Sequence, residues 1–186
     1  MLKKILRLVA GMLAMCVAGS AFAGLIGKQF DIGYYFPDTN TLYAQASFSP
    51  SSFIAGSGVD TIGNVEGVTF LNVDLADNNL TITFDTVLTN PTWSNAAFNG
   101  LILSTADFLG VANPVVDPGS TFSGFDASRI TLTAHQIFLD WNGLSYQDGT
   151  VLALSFADVP LSVPEPQSVA LAGLGLVVFA ALRRRR

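Results

Sequence analysis

The sequence predicts an all-β fold for the central part of the chain, an antiparallel β-sandwich resembling a jelly roll. Three observations carry this. Apolar and polar residues alternate with a period of two in several short runs. Gly, Pro, Asn and Asp punctuate those runs at short intervals. No internal stretch sustains a helical period between caps.

Taken in order, Phe30, Ile32, Tyr34 and Phe36 alternate with other residues, and Pro37-Asp38 then supplies a turn. Leu42, Ala44, Ala46 and Phe48 repeat the pattern. Residues 68–75 form a β-branched and aromatic run that ends at the turn Asp77-Asn78-Asn79. Leu80, Ile82 and Phe84 alternate with Thr81, Thr83 and Asp85, the clearest half-buried strand in the chain. Asn90-Pro91 opens a loop. Further strands are expected at 98–104, 129–133, 136–141 and 151–157, with turns at Asn142-Gly143 and Asp148-Gly149. The segment 107–119 reads as a longer loop with a helical turn. Eight or nine short strands joined by hairpin turns imply two packed antiparallel sheets.

The two ends have a different chemistry. Lys3, Lys4 and Arg7 precede an apolar run from Leu8 to Ala18, and Ala21-Phe22-Ala23 sets small residues where a signal peptidase requires them. This is the layout of a secretory signal peptide, 1–23, cut after Ala23. Leu13-Ala14-Met15-Cys16 resembles a lipoprotein signal, but Met15 is too large for the position before a lipidated cysteine.

At the other end, Val163-Pro164-Glu165-Pro166 precedes an apolar run at 168–182, and Arg183, Arg184, Arg185 and Arg186 follow. A core helix so flanked would have to hold four charges in water while packing on every side. At about 1.5 Å per residue the run spans roughly 22 Å, short of the ~30 Å hydrocarbon core. Arginine stems can snorkel, and the bilayer can thin locally, to cover the difference. The arginines place that end in the cytoplasm by the positive-inside rule, with residues 24–162 outside the inner membrane. The two prolines force an extended peptide just outside the bilayer, with Glu165 as its only charge.

A Pro-Glu-Pro motif, a short span and an arginine cluster together resemble the PEP-CTERM sorting signal of Gram-negative bacteria, over 163–186. The resemblance implies recognition by an exosortase, a membrane-embedded transpeptidase-like enzyme, with processing near Pro164-Glu165-Pro166. It also implies release or transfer of the body to the cell surface, and an association with exopolysaccharide and biofilm matrix. Residues 129–144 are similar to the penultimate strands of other ectodomains of this kind, a likeness that implies no activity.

Residues 24–162 are about 140 in number, enough for one domain with a real core. They hold thirteen acidic residues against Lys28 and Arg129, a net charge of −11, which excludes nucleic-acid binding. The chain's one cysteine, Cys16, lies in the signal, so no disulfide can form within the body.

Candidate chemistry in the body is sparse. His135 is the only histidine, and no Gly-x-Ser-x-Gly elbow accompanies it. One histidine and no mature cysteine cannot build a usual zinc site. Asp74, Asp77, Asn78 and Asn79 offer oxygens that calcium takes, but they miss the EF-hand spacing and sit where two strands should turn. Glycoside hydrolysis needs two paired carboxylates, and the sequence cannot pair them. Trp93, Trp141, Tyr34, Tyr35, Tyr43 and Tyr146 could stack on sugar rings. Trp93 stands out because Asn90-Pro91-Thr92-Trp93-Ser94-Asn95 reads as an exposed loop, where a tryptophan has less reason to be buried. The sequon Asn79-Leu80-Thr81 is incidental in a bacterial chain.

The expected protein is therefore an exported, non-enzymatic surface or matrix protein that binds polysaccharide or self-associates, with no cofactor unless calcium bridges its acidic surface. Its expected partners are signal peptidase, exosortase, the inner membrane and exopolysaccharide. The alternatives are an exopolysaccharide-active enzyme and a single-span membrane protein that is never processed.

Overall fold

Two antiparallel sheets share one core in the computed structural model, which describes residues 24–159. The first sheet has the order β3 (Ser52–Ile54), β1 (Gln29–Tyr35), β7 (Gly100–Ser104), β10 (Gln136–Asp140), β9 (Ile130–Leu132). The second runs β2 (Ala46–Ser49), β4 (Thr61–Val65), β5 (Thr69–Leu75), β6 (Asn79–Thr86), β11 (Thr150–Asp158), β8 (Val111–Val116). All belong to one compact unit, Ala23–Pro160. The eleven strands among the described residues, three of them in the meander β4–β5–β6, depart from the eight of a simple jelly roll.

The period-two patterning explains the layering. Leu71, Val73 and Leu75 of β5 and Leu80, Ile82 and Phe84 of β6 are wholly buried, while their alternate neighbours lie on the outer face. Cross-strand pairs Val73–Ile82 and Leu71–Phe84 set the register. A slip of one residue would turn both rows to water. Leu101 and Leu103 of β7, with Ile137 and Leu139 of β10, supply the opposite wall.

Several sequence expectations need correction. Residues 107–119 are not simply a loop: β8 runs through them as an edge strand of the second sheet. Pro114 and a left-handed Asn113 (φ 49°) hid it, and both are tolerated because the register of β8 on β11 shifts there. Among the described residues the one short helical turn lies later, at Ala127–Arg129, capped by Asp126 Oδ1 accepting from Ser128 N at 2.8 Å. The run 42–48 forms a strand only over its last part, and Leu42 is exposed, touching Tyr35 through a single bridge. Strands β3 and β4 escaped the sequence reading, because Thr61-Ile62-Gly63-Asn64-Val65 mixes glycine and asparagine into a buried strand.

Among the described residues no helix is long and apolar enough to cross a membrane. The expected signal peptide 1–23, with Ala21 and Ala23, lies outside the described residues. So do Val163, Pro164, Glu165 and Pro166, the apolar run 168–182 and Arg183 to Arg186.

Candidate functional site

At one end of the two sheets, two loops pair with each other. They are the β6–β7 connection, carrying Pro91 to Asn99, and the β10–β11 connection, carrying Trp141 to Gly149. Trp93 N donates to Leu144 O at 2.9 Å, Gly143 N to Trp93 O at 3.0 Å, and Tyr146 N to Pro91 O at 3.0 Å. Thr92 and Ser145 form a bridge, with their hydroxyls 2.6 Å apart. Gly143 makes the turn possible: its φ is 70°, and a Cβ there would come 2.4 Å from Asn95 Oδ1.

This pairing folds Trp93 inward. The loop expectation holds, since Trp93 lies outside every strand, but the expected exposure does not: the residue is 8% exposed. Its indole stacks on Tyr146, centroids 4.6 Å apart and planes 11° apart, and lies 5.5 Å from the Tyr34 ring and 5.7 Å from Trp141. A backbone pairing some fifty residues distant in sequence overrides the local loop signal.

The rings of Tyr34, Trp93 and Tyr146 border a cavity of about 140 Å³. Tyr34, Val65, Thr69, Trp93, Asn99 and Tyr146 are its buried walls, and Glu66 stands exposed at its rim. The volume is close to the ~150 Å³ of a cavity that holds one benzene ring. Of the six aromatic residues singled out in the sequence, Tyr34, Tyr43, Trp93 and Tyr146 line it. Trp141 packs behind as fully buried core, and Tyr35 lies elsewhere on β1.

The polar atoms of the walls are almost all paired. Trp141 Nε1 donates to Tyr34 Oη at 3.0 Å, Tyr34 Oη donates to Asn99 Oδ1 at 2.5 Å, and Asn99 Nδ2 donates to Ser94 O at 2.8 Å. Burial holds the Tyr34 phenol far above its ordinary pKa, so it stays protonated, although the Trp141 bond opposes that shift. On the other wall Thr86 Oγ1 donates to Val68 O, so Thr69 donates to Thr86, and Tyr146 donates to Thr69 at 2.7 Å. Burial raises the Tyr146 phenol as well. At the rim the Tyr43 hydroxyl donates to Glu66 Oε1, and this bond is the main cause of its raised pKa. Trp93 Nε1 is the exception: it is buried and has no hydrogen-bond partner in the protein.

Glu66 is itself unusual. It occupies the turn between β4 and β5 at φ 57°, followed by Gly67 at 70°. Left-handed backbone favours Gly, Asn and Asp over glutamate. Sequence reasoning missed Glu66, Thr69 and Asn99. An Asn-Val-Glu-Gly turn in which the glutamate stands where a glycine or asparagine would be easier was the available signal for Glu66.

The remaining sequence candidates lie apart. His135 is exposed, with Nδ1 2.8 Å from Asp107 O. Asp74 is on β5, Asn79 opens β6, and Asp77 and Asn78 form the turn between them. The backbone of that turn has structural duties: Leu25 N donates to Asp77 O and Phe156 N to Asn78 O, each at 2.8 Å. Among the described residues no group of three or more His, Cys, Asp or Glu side chains could hold a metal ion.

The far end of the chain supplies the deciding comparison: residues 162–186 match the family model of the PEP-CTERM protein-sorting motif. The chain carries a PEP-CTERM sorting signal. The match spans Val163-Pro164-Glu165-Pro166, the apolar run and the four arginines. A PEP-CTERM protein is exported, anchored in the membrane in transit, processed by an exosortase and then displayed at the surface. No curated protein and no solved structure matches the chain.

Proposed function

We propose that this PEP-CTERM protein is a non-enzymatic component of the cell surface or extracellular matrix whose β-sandwich domain binds exopolysaccharide. The single observation that carries the reading is the sorting motif at 162–186, which delivers the folded domain outside the cell. In this reading signal peptidase removes 1–23, the run 168–182 holds the chain in the inner membrane as a transmembrane helix, and Arg183 to Arg186 keep that end inside. Exosortase then acts near Pro164-Glu165-Pro166, and the acidic domain joins the biofilm matrix.

Binding is favoured over cleavage by the composition of the cavity. Glu66 is the one carboxylate among its lining residues, and the Tyr43 hydroxyl already engages it. Hydrolysis of a glycosidic bond ordinarily uses two carboxylates across the scissile bond. Co-sedimentation of the protein with polysaccharide purified from the producing cells, with reducing ends assayed in parallel, tests the proposal. Retention without new reducing ends is expected. Absence of retention refutes the binding role, and a steady release of reducing ends refutes the non-enzymatic one.

A further inference from the structure

We propose that the cavity bordered by Tyr34, Tyr43, Trp93 and Tyr146 takes one amino-sugar ring, whose free ammonium sits at the Glu66 carboxylate. The proposal rests on the polysaccharide-binding reading and names the charge of the ligand: a polymer that carries unacetylated amines.

Three observations select a cation. First, the buried walls have few hydrogens to give. The hydroxyls of Tyr34 and Tyr146 donate to Asn99 and Thr69, Thr69 donates to Thr86, and Asn99 Nδ2 donates to Ser94 O. The indole Nε1 of Trp93 is buried out of a ligand's reach. Second, among the described residues that line the cavity, Glu66 carries the one formal charge, and it is exposed at the rim. Tyr43 engages Oε1, which leaves Oε2 as an acceptor. Third, the rings of Tyr34, Phe36, Tyr43, Trp93 and Tyr146 all line the cavity. The electron-rich faces of such rings attract cations.

An ammonium is the complement of this site, since it brings three donors and no acceptor. A neutral sugar would bring hydroxyls that seek donors as well as acceptors. An anion would meet Glu66 and a domain of net charge −11, whereas the field of that domain concentrates a polycation around it. Size favours a ring over a side chain. About 140 Å³ is close to the room one six-membered ring needs. A hexosamine that bears its amine directly on the ring fills that space, and the slender stem of a lysine would not.

The test uses the full chain, ¹⁵N-labelled, in a non-ionic polyoxyethylene detergent. Titrations run at about pH 6, where an amine resembling the α-amino group, of pKa about 7.7–8.0, is charged. The probes are the methyl glycosides of glucosamine, glucose and N-acetylglucosamine, with N-acetyl-lysine methylamide as the peptide counterpart. Each is added up to about 0.1 M, where a Kd of about 10 mM is saturated. The readout is the backbone amide signals of Glu66, Thr69 and Thr92, which line the cavity.

The glucosaminide should move these signals saturably. The two uncharged glycosides should bind on the order of tenfold more weakly. Glu66→Gln removes the charge and keeps an acceptor for Tyr43, so it should weaken the glucosaminide on the order of tenfold at an unchanged melting temperature. The proposal is overturned if an uncharged glycoside binds as well as the amine, if the lysine derivative binds more tightly than the glucosaminide, if Glu66→Gln binds as the parent does, or if no probe moves the cavity signals. Polysaccharide retention with silent cavity signals would remove this site and leave the binding role standing. Loss of both would remove the binding role as well, and movement without retention would remove the matrix polymer as the ligand.

Discussion

The indole of Trp93 lies flat against the phenol of Tyr146, 4.6 Å between centroids and 11° between planes. The contact joins two loops, and both rings are buried beneath it. A tryptophan that the sequence places in a loop is thereby a structural pin as well as a candidate ligand contact. Its replacement by alanine deletes packing against Tyr34, Phe84, Trp141 and Tyr146 together. Trp93→Ala should cost about 3–5 kcal/mol, read from urea denaturation. Trp93→Phe keeps a ring in place and should cost appreciably less. Equal, small losses for both would show that the loop pairing holds without the indole.

Gly100 is a second packing constraint, and a sharper one. A Cβ built there would lie 1.8 Å from Leu139 O on the neighbouring strand, which is backbone and cannot rotate away. Gly100 faces Asp140 in the ladder that joins β7 to β10 at the centre of the first sheet. Gly100→Ala should therefore separate the two strands and destabilise the domain by more than about 2 kcal/mol, despite alanine's better intrinsic propensity. A melting temperature within a degree of the parent's would contradict the close approach.

Alkaline pH should unfold the domain earlier than its charge alone implies. The folded-state pKa of Tyr34 is raised far above the unfolded value of about 10, chiefly by burial. The neutral phenol is the form the fold accepts. Its contribution is complete below about pH 10 and is lost as pH rises beyond that, by up to about 1.4 kcal/mol per pH unit for this group. Tyr146 shifts in the same direction. Thermal melts between about pH 8 and 12 should fall steeply above 10 in the parent. Tyr34→Phe should melt lower at neutral pH, because Asn99 Oδ1 and Trp141 Nε1 lose their partner, yet show a shallower alkaline slope. An unchanged slope would remove Tyr34 from the explanation.

How far the fold could be read from the sequence depended on how regular each strand is. Leu80-Thr81-Ile82-Thr83-Phe84 alternates without interruption and became β6. Asn113-Pro114 broke the pattern of β8, because an edge strand with a register shift tolerates what a central strand does not. Gly63 and Asn64 likewise disguised β4, where Gly63 leaves room for the Phe48 ring of the next strand. The cavity was only partly legible. Trp93, Tyr34, Tyr43 and Tyr146 stood out as aromatics, but local signals could not show that Leu144 O and Pro91 O would draw them together. Glu66 was overlooked because its peculiarity is a backbone angle, not a side-chain pattern.

The sorting account makes its own demand on the tail. Replacing Pro164, Glu165 and Pro166 by alanine keeps the apolar run and the arginines but removes the motif at which the exosortase is expected to act. The variant should accumulate in the inner membrane with residues 168–186 still attached. Normal surface delivery of the triple variant would show that the Pro-Glu-Pro motif is dispensable.

The most direct measurement is the intact mass of the protein recovered from the surface of producing cells, compared with the same protein from cells lacking the exosortase. The account predicts a surface form that begins at Gly24 and lacks 168–186, and a membrane-bound form that keeps them when the exosortase is gone. Identical masses and identical delivery in the two strains would contradict it.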